Sequence, residues 1–191
     1  MQTTSEKTEK LEQIEQQVEG KEPLAGAEER RHLHEVLKDF TTVMVATYDK
    51  TGKHPRLNAR PMRVAKLEDD CSMVFVTQLP SEKVDEAQHL DGNVIVQGLM
   101  RQANLFGHFE ISTDRERMAA VWSKPFDIWF PQGKDDPNAC LMTFVPRDAE
   151  MWDSSGLKGL RLLFESARAL LTKTVPESDP DQHSKLKLNR A

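Results

Sequence analysis

The sequence predicts a mainly β chain of the α+β class: a small antiparallel β-barrel with helices at its periphery. Three observations carry this. Short β-branched and aromatic runs recur at close spacing, joined by hairpin-sized turns. Helical periodicity surfaces between only some of them, whereas a doubly wound parallel sheet needs helices alternating regularly with strands. Finally, 191 residues suit one domain of ordinary size, able to bury a core without disulfides or metals.

The elements follow in order. Residues 1–27 are rich in Glu, Gln, Lys and Thr, and Leu11, Ile14 and Val18 form an apolar stripe too thin for a core. This stretch reads as a polar arm, mobile or a peripheral helix. Residues 30–40 set Leu33, Val36, Leu37 and Phe40 on one helical face. A β-rich run, 41–48, meets a hairpin turn at Asp49-Lys50-Thr51-Gly52 and a second strand at 57–67. Glu68-Asp69-Asp70 turns it into a third strand, 72–77, apolar enough to be buried on both faces.

Pro80 and Ser81 then open a helix over 81–89, since proline is tolerated in a first turn and serine accepts from unpaired N–H groups there. Strands follow at 94–98 and 103–112. Gly107 marks a point where backbone passes close to a neighbour or ligand. Thr113-Asp114 caps a short helix reaching Trp122, and 139–152 is the last long strand. Residues 157–172 return to helical spacing, with Pro176 and a polar tail behind. The organisation is therefore an arm (1–27), a barrel (28–156), and a C-terminal helix and tail (157–191).

A net charge of −5 argues against nucleic acid or an anionic membrane as the main partner. No stretch approaches transmembrane length, and the N-terminal residues lack the apolar core of a signal peptide, so a cytoplasmic protein is expected. Cys71 and Cys140 lie far apart in apolar runs, as buried free thiols do. The six histidines form no metal-ligand cluster, and no G-x-G-x-x-G or Walker loop is present. Acid–base or covalent catalysis has no visible constellation of its own.

One segment stands apart. The strand Met73-Val74-Phe75-Val76 runs through Thr77 into Pro80, Ser81, Glu82 and Lys83. Glu82 suits the positive end of a helix dipole, but Lys83 is repelled there unless an anion lies between. N–H groups, a hydroxyl and an ammonium at one helix start make an anion site; a plain strand–turn–helix with an exposed lysine is the other reading.

Arg60-Pro61-Met62 stands upstream, and Arg101-Gln102 with Gly107 and Glu110 downstream. This order of motifs resembles the pyridoxamine 5′-phosphate oxidase-like superfamily of FMN-binding split barrels. The run from Trp129 through Pro137, Glu150-Met151-Trp152-Asp153, Gly159-Leu160-Arg161, Phe164-Glu165-Ser166-Ala167 and the stretch from Gln182 to Leu188 are similar to its general stress protein branch. The resemblance covers roughly Glu28 to Leu188.

The resemblance implies an antiparallel split β-barrel with peripheral helices, working as a homodimer with FMN, or FAD, at the subunit interface. Arg60, Ser81 and Lys83 are implied to hold the phosphate, where arginine grips two oxygens and lysine acts as a point charge. Met62 and Thr77 are implied to line the ring. Gln102 would reach ring or ribityl chain, though an exposed strand glutamine looks the same in sequence. Trp129 would approach the flavin from the second subunit; core or interface packing is its other reading.

The C-terminal R-L-H-D-R-like segment of true pyridoxamine 5′-phosphate oxidases is missing: the corresponding strand ends in Trp152-Asp153-Ser154-Ser155-Gly156. Vitamin B6 oxidation is therefore not expected. The functions implied are a flavin-dependent oxidoreductase on an unidentified substrate, a non-catalytic flavin-binding or buffering stress module, or a deazaflavin- or haem-using relative on the same barrel.

Overall fold

A computed structural model describes residues 25–49, 54, 56–82, 84, 91–155 and 183–188. Helix α1 (Ala27–Leu37) leads into strands β1 (Thr42–Asp49), β2 (Arg56–Leu67) and β3 (Met73–Gln78). Strands β4 (Gly92–Gln97) and β5 (Arg101–Ser112) follow, then helix α2 (Arg115–Val121) and two 3-10 turns, Lys124–Ile128 and Gly133–Asp135. Strands β6 (Ala139–Asp153) and β7 (His183–Lys187) complete the described fold.

Every strand pair is antiparallel, in the order β3-β2-β1-β4-β5-β6-β7, and a further β3–β6 pairing closes six strands into a barrel. The mainly β reading and its strand boundaries hold to within about two residues. The predicted helix over 157–172, most of that over 81–89 and the turn residues 50–53 lie outside the described residues.

Alternation builds the core. Val43 and Val45 on β1, Met73 and Phe75 on β3, Leu105 and Phe109 on β5, and Met142 and Phe144 on β6 fill the barrel, with Phe109 and Phe144 rings 5.1 Å apart. Leu33, Val36 and Leu37 of α1 join the same cluster and plug one end. The opposite face of β3 and β6 carries Val74, Val76 and Leu141 into a second cluster under Met118, Phe126 and Phe130. So β3 is buried on both faces because the barrel fills one and the α2/3-10 layer covers the other. Asp114 caps α2, accepting from the N–H groups of Glu116 at 2.9 Å and Arg117 at 3.1 Å.

The tail differs from expectation. His183–Lys187 pair with β6 as a seventh strand, and Leu186 and Leu188 are buried. Two leucines among lysines are too short an alternation to stand out in sequence. The start of the described chain is tied to this strand: Ala25 N–H donates to Lys187 carbonyl at 2.7 Å, and the Arg30 guanidinium donates to Leu188 carbonyl. Residue 25 thus belongs to the fold rather than to an arm.

The plugged end is held by charge. Asp153 accepts from Ser155 N–H at 2.8 Å and meets His32 Nε2 at 3.1 Å and Arg101 Nε at 3.5 Å, while Arg101 Nη1 reaches Asp39 at 2.6 Å. Trp152-Asp153 thus forms a structural corner at the end of β6. Burial pushes the Asp153 carboxyl up, but hydrogen bonds from Ser155 and the charges of Arg101 and His32 outweigh it and hold the group below its usual range. A carboxyl lowered by folding contributes fully above its unfolded value of about 4, and its contribution is lost as pH falls through the folded value. Asp153→Asn is therefore expected to flatten the acid limb of a urea-midpoint profile taken below about pH 4, and an unchanged limb would count against this role.

Cys71, also at this end, donates to the Arg30 carbonyl at 3.8 Å. Burial first, then Asp70, push its thiol up to about 11, so it stays protonated and inert.

Candidate functional site

In a closed antiparallel barrel each strand pair runs its ladder through, yet β2 and β3 do not. Among the described residues their pairing extends from Leu67–Met73 to Val64–Phe75. Beyond Val64, β2 continues against β1 and β3 continues against β6. This seam lies at the end where β1 and β3 finish and β2 and β6 begin, opposite the end plugged by α1. Backbone along such a seam looks to side chains, solvent or a ligand for its hydrogen bonds.

Four of the sequence-predicted residues meet there. Counting from the Val64–Phe75 pair, Met62 and Thr77 are each two residues further along, so they stand level across the seam. Arg60 lies two residues beyond Met62 towards the same end. It is in phase with Met62 and directly opposite Val45, which places it on the inner side of β2. Its Nη2 donates to Thr47 Oγ1 at 2.9 Å. On the other bank, Thr77 is buried at 2% exposure and its Oγ1 has no hydrogen-bond partner. Ser81, four residues on, has a buried Oγ that is likewise unpartnered. Val84 N–H donates to the Ser81 carbonyl at 2.9 Å, which begins the helical turn expected after Pro80. Lys83 lies outside the described residues.

A buried hydroxyl left without a partner costs about 1–3 kcal/mol. Two such hydroxyls at the end of β3 and an arginine on β2 are the donors of a candidate cradle for an anion rich in acceptor oxygens. Both hydroxyls can donate to such an oxygen, and the guanidinium supplies charge. These residues fit a phosphate group.

The structure does not bring Gln102 to this cradle within one chain. It pairs with Trp152 near the end of β6, whereas Thr77 pairs with Cys140 near its start. Twelve residues of strand separate the two, about 40 Å measured along β6. Gln102 Nε2 donates to the Gly98 carbonyl at 3.3 Å, and its neighbour Trp152 stacks on His183 with ring centroids 4.8 Å apart.

Trp129 is 75% exposed and beside Ile128, at 78%, on the 3-10 turn that covers β3 and β6, so it is not core packing within the chain. Trp122 is: it packs on Phe126 and Phe130 and donates Nε1–H to Asp127 at 3.0 Å.

Two features escaped the sequence reading. Thr47 holds Arg60, but a buried threonine in a β-strand gives no distinguishing signal. The outer face of β1 and β2 is apolar, with Met44, Tyr48 and Leu57 at 38%, 41% and 56% exposure and Tyr48 directly opposite Leu57. The signal for that face was present: β1 carries apolar residues on both phases of its alternation, as a strand covered on two sides does.

Residues 28–177 match a family described as pyridoxamine 5′-phosphate oxidase like. Among solved structures, a candidate general stress protein 26 from Jannaschia sp. CCS1 is 26% identical with a TM-score of 0.65, over 85% of this chain and 99% of that one. A general stress FMN/FAD binding protein from Xanthomonas citri is 21% identical with a TM-score of 0.57, over 69% of this chain and 92% of that one. A protein from Clostridium acetobutylicum, described as related to general stress protein 26 of B. subtilis, is 20% identical with a TM-score of 0.56, over 68% and 91%. The last two likenesses speak for the fold alone. No curated protein matches the chain.

Proposed function

We propose that this chain, which belongs to the pyridoxamine 5′-phosphate oxidase-like family, binds FMN, or FAD, and serves as a flavin-dependent oxidoreductase. The observation that carries the reading is the pair of buried, unpartnered hydroxyls of Thr77 and Ser81 across the β2–β3 seam from Arg60. When bound, a flavin supplies two-electron transfer chemistry. The chain's own part is to hold it. Arg60 meets phosphate charge with a planar fork, Thr77 and Ser81 donate hydroxyl hydrogens, and the apolar wall around Met62 gives a flat ring a dry surface. Lys83, two residues after Ser81, adds a second cation by the same logic.

A homodimer completes the proposal. The exposed apolar outer face of β1 and β2 invites cover by a second copy. Gln102 sits at the opposite end of the barrel from Thr77, so an antiparallel partner is the means by which the cradle and Gln102 serve one ligand. Trp129, exposed beside Ile128, would reach the neighbour's flavin in the same way.

The test is direct. The purified protein should carry, or take up, a yellow chromophore with flavin bands, be reduced by NADH or NADPH, and reoxidise in a single turnover with a small acceptor. A protein that takes up neither FMN nor FAD sinks the reading. Bound flavin that no nicotinamide donor reduces would favour a binding or buffering module instead.

Trp129→Ala is expected to brighten the fluorescence of bound flavin and to cost about 0.5–1.5 kcal/mol in affinity while the dimer persists in sedimentation, because stacking quenches and adds about that much. Flavin that stays quenched and tightly bound in this variant would place Trp129 away from the ring.

A further inference from the structure

Thr47 is fully buried on β1, in phase with Val43 and Val45 on the barrel's inner side. Its direct cross-strand neighbour is Asn58, two residues before Arg60 on β2. The Arg60 side chain therefore reaches diagonally across the ladder to donate to Thr47 Oγ1 at 2.9 Å. Both ends of this hydrogen bond are constrained. The threonine is β-branched, stiff about its first side-chain torsion and packed on all sides. The guanidinium is planar, so fixing one nitrogen fixes the plane in which the others lie.

Three buried hydroxyls near this end of the barrel, those of Thr47, Thr77 and Ser81, differ in a telling way. That of Thr47 is engaged with the arginine, while those of Thr77 and Ser81 have no partner. The positive group is thus held by the protein before any ligand arrives, and the two hydroxyls remain to greet it. An arginine on a long flexible stem loses rotamer freedom when it grips a phosphate, and that loss weakens binding. One anchored in advance has less to lose.

We propose that Thr47 is the positioning residue of the phosphate cradle: its hydroxyl sets the orientation of Arg60, and so sets how strongly the site prefers a phosphorylated flavin to an unphosphorylated one. The inference rests on the flavin reading above, and its test separates the two.

Dissociation constants for FMN and riboflavin are measured on the full chain, with inorganic phosphate as a competitor. Thr47→Val removes the acceptor and nearly keeps the shape. FMN affinity should fall about fivefold, the scale of the freedom one unanchored, rotamer-rich side chain loses on binding, with riboflavin affinity unchanged and phosphate competing less well. Thr47→Ser keeps the hydroxyl and should restore most of the preference. In an Arg60→Ala background, Thr47→Val should cost FMN nothing further, because the group it orients is gone.

Equal losses for FMN and riboflavin, or the same loss with Arg60 absent, would overturn the inference and make Thr47 merely structural. If the valine variant fails to fold, Thr47→Cys, whose sulfur accepts weakly, reads the same ratio. A wild-type protein that binds FMN no better than riboflavin would bring down the phosphate reading itself, and the inference with it. A wild-type preference that survives Thr47→Val and Thr47→Cys would overturn the inference alone.

Discussion

Replacing Arg60 with alanine should lower FMN affinity by about 10- to 100-fold and leave riboflavin binding nearly unchanged. A hydrogen bond to a charged group contributes about 1.5–3 kcal/mol, and each 1.4 kcal/mol is a factor of ten in affinity. Arg60 is half-buried at the mouth of the barrel, where solvent reaches the guanidinium in part, so the loss should stay within this range. Arg60→Lys should fall between wild type and alanine: the charge remains but the two-pronged grip does not. Lys83→Ala should give the same signature, a loss confined to the phosphorylated ligand. Titration calorimetry with both ligands decides it. Equal losses for FMN and riboflavin would show that Arg60 supports the ring or the fold and not the phosphate.

The largest effect on stability is expected at Gly107. A Cβ there would fall well inside contact distance of the Val145 carbonyl oxygen and 2.9 Å from Pro146 Cα, and both are backbone atoms that cannot swing aside. The crowding has a topological source. Between the pairs Phe106–Asp148 and Gly107–Pro146 the register shifts, and Arg147 is the additional residue of a β-bulge on β6. The bulge presses β6 against β5 at the glycine and directs the Arg147 carbonyl to Leu188 N–H at 2.7 Å. Gly107→Ala must move one of two central strands. Overpacking a core typically costs about 1–3 kcal/mol, and a backbone clash should reach or exceed the upper figure. In a chain of this length that is a fall of roughly 6–12 °C in melting temperature. A variant that melts within about two degrees of wild type would mean the strands can part at no great cost.

Much of this fold was legible because β-strands announce themselves by alternation and by their turns. Met73 to Val76 read as buried on both faces, and they are. Asp114 read as a cap and caps. Gly107 read as a close approach, though nothing in the sequence said that the neighbour would be β6. What escaped depends on pairings between distant residues. The bulge at Arg147 arises only when β6 is laid on β5, and β7 is a strand because β6 offers it an edge, not because His183–Lys187 insists on one.

The candidate site divides along the same line. Arg60, Thr77 and Ser81 were singled out by the order of motifs that carries the family resemblance, and the structure sets them on the two sides of one seam. The position of Gln102 was not legible, since its spacing from Gly107 says nothing about which end of the barrel it occupies. Thr47 was invisible for a third reason: its role is a hydrogen bond, and a buried threonine elsewhere in the barrel would look the same.

The length of β6 has a bearing on how the chain reaches this state. That one strand pairs with β3, β5 and β7, and its ladder with β3 joins residues about 60 to 70 positions apart in sequence. Contacts so distant come late and slow the search for the native topology. Until β6 emerges during synthesis, β3 and β5 are open sheet edges, and the apolar side chains of Met73, Phe75, Leu105 and Phe109 lack the strand that covers them. A nascent chain paused between Ser112 and Ala139 thus presents two unpaired edges and a half-built interior to its surroundings, the state in which such a protein is most prone to edge-to-edge aggregation.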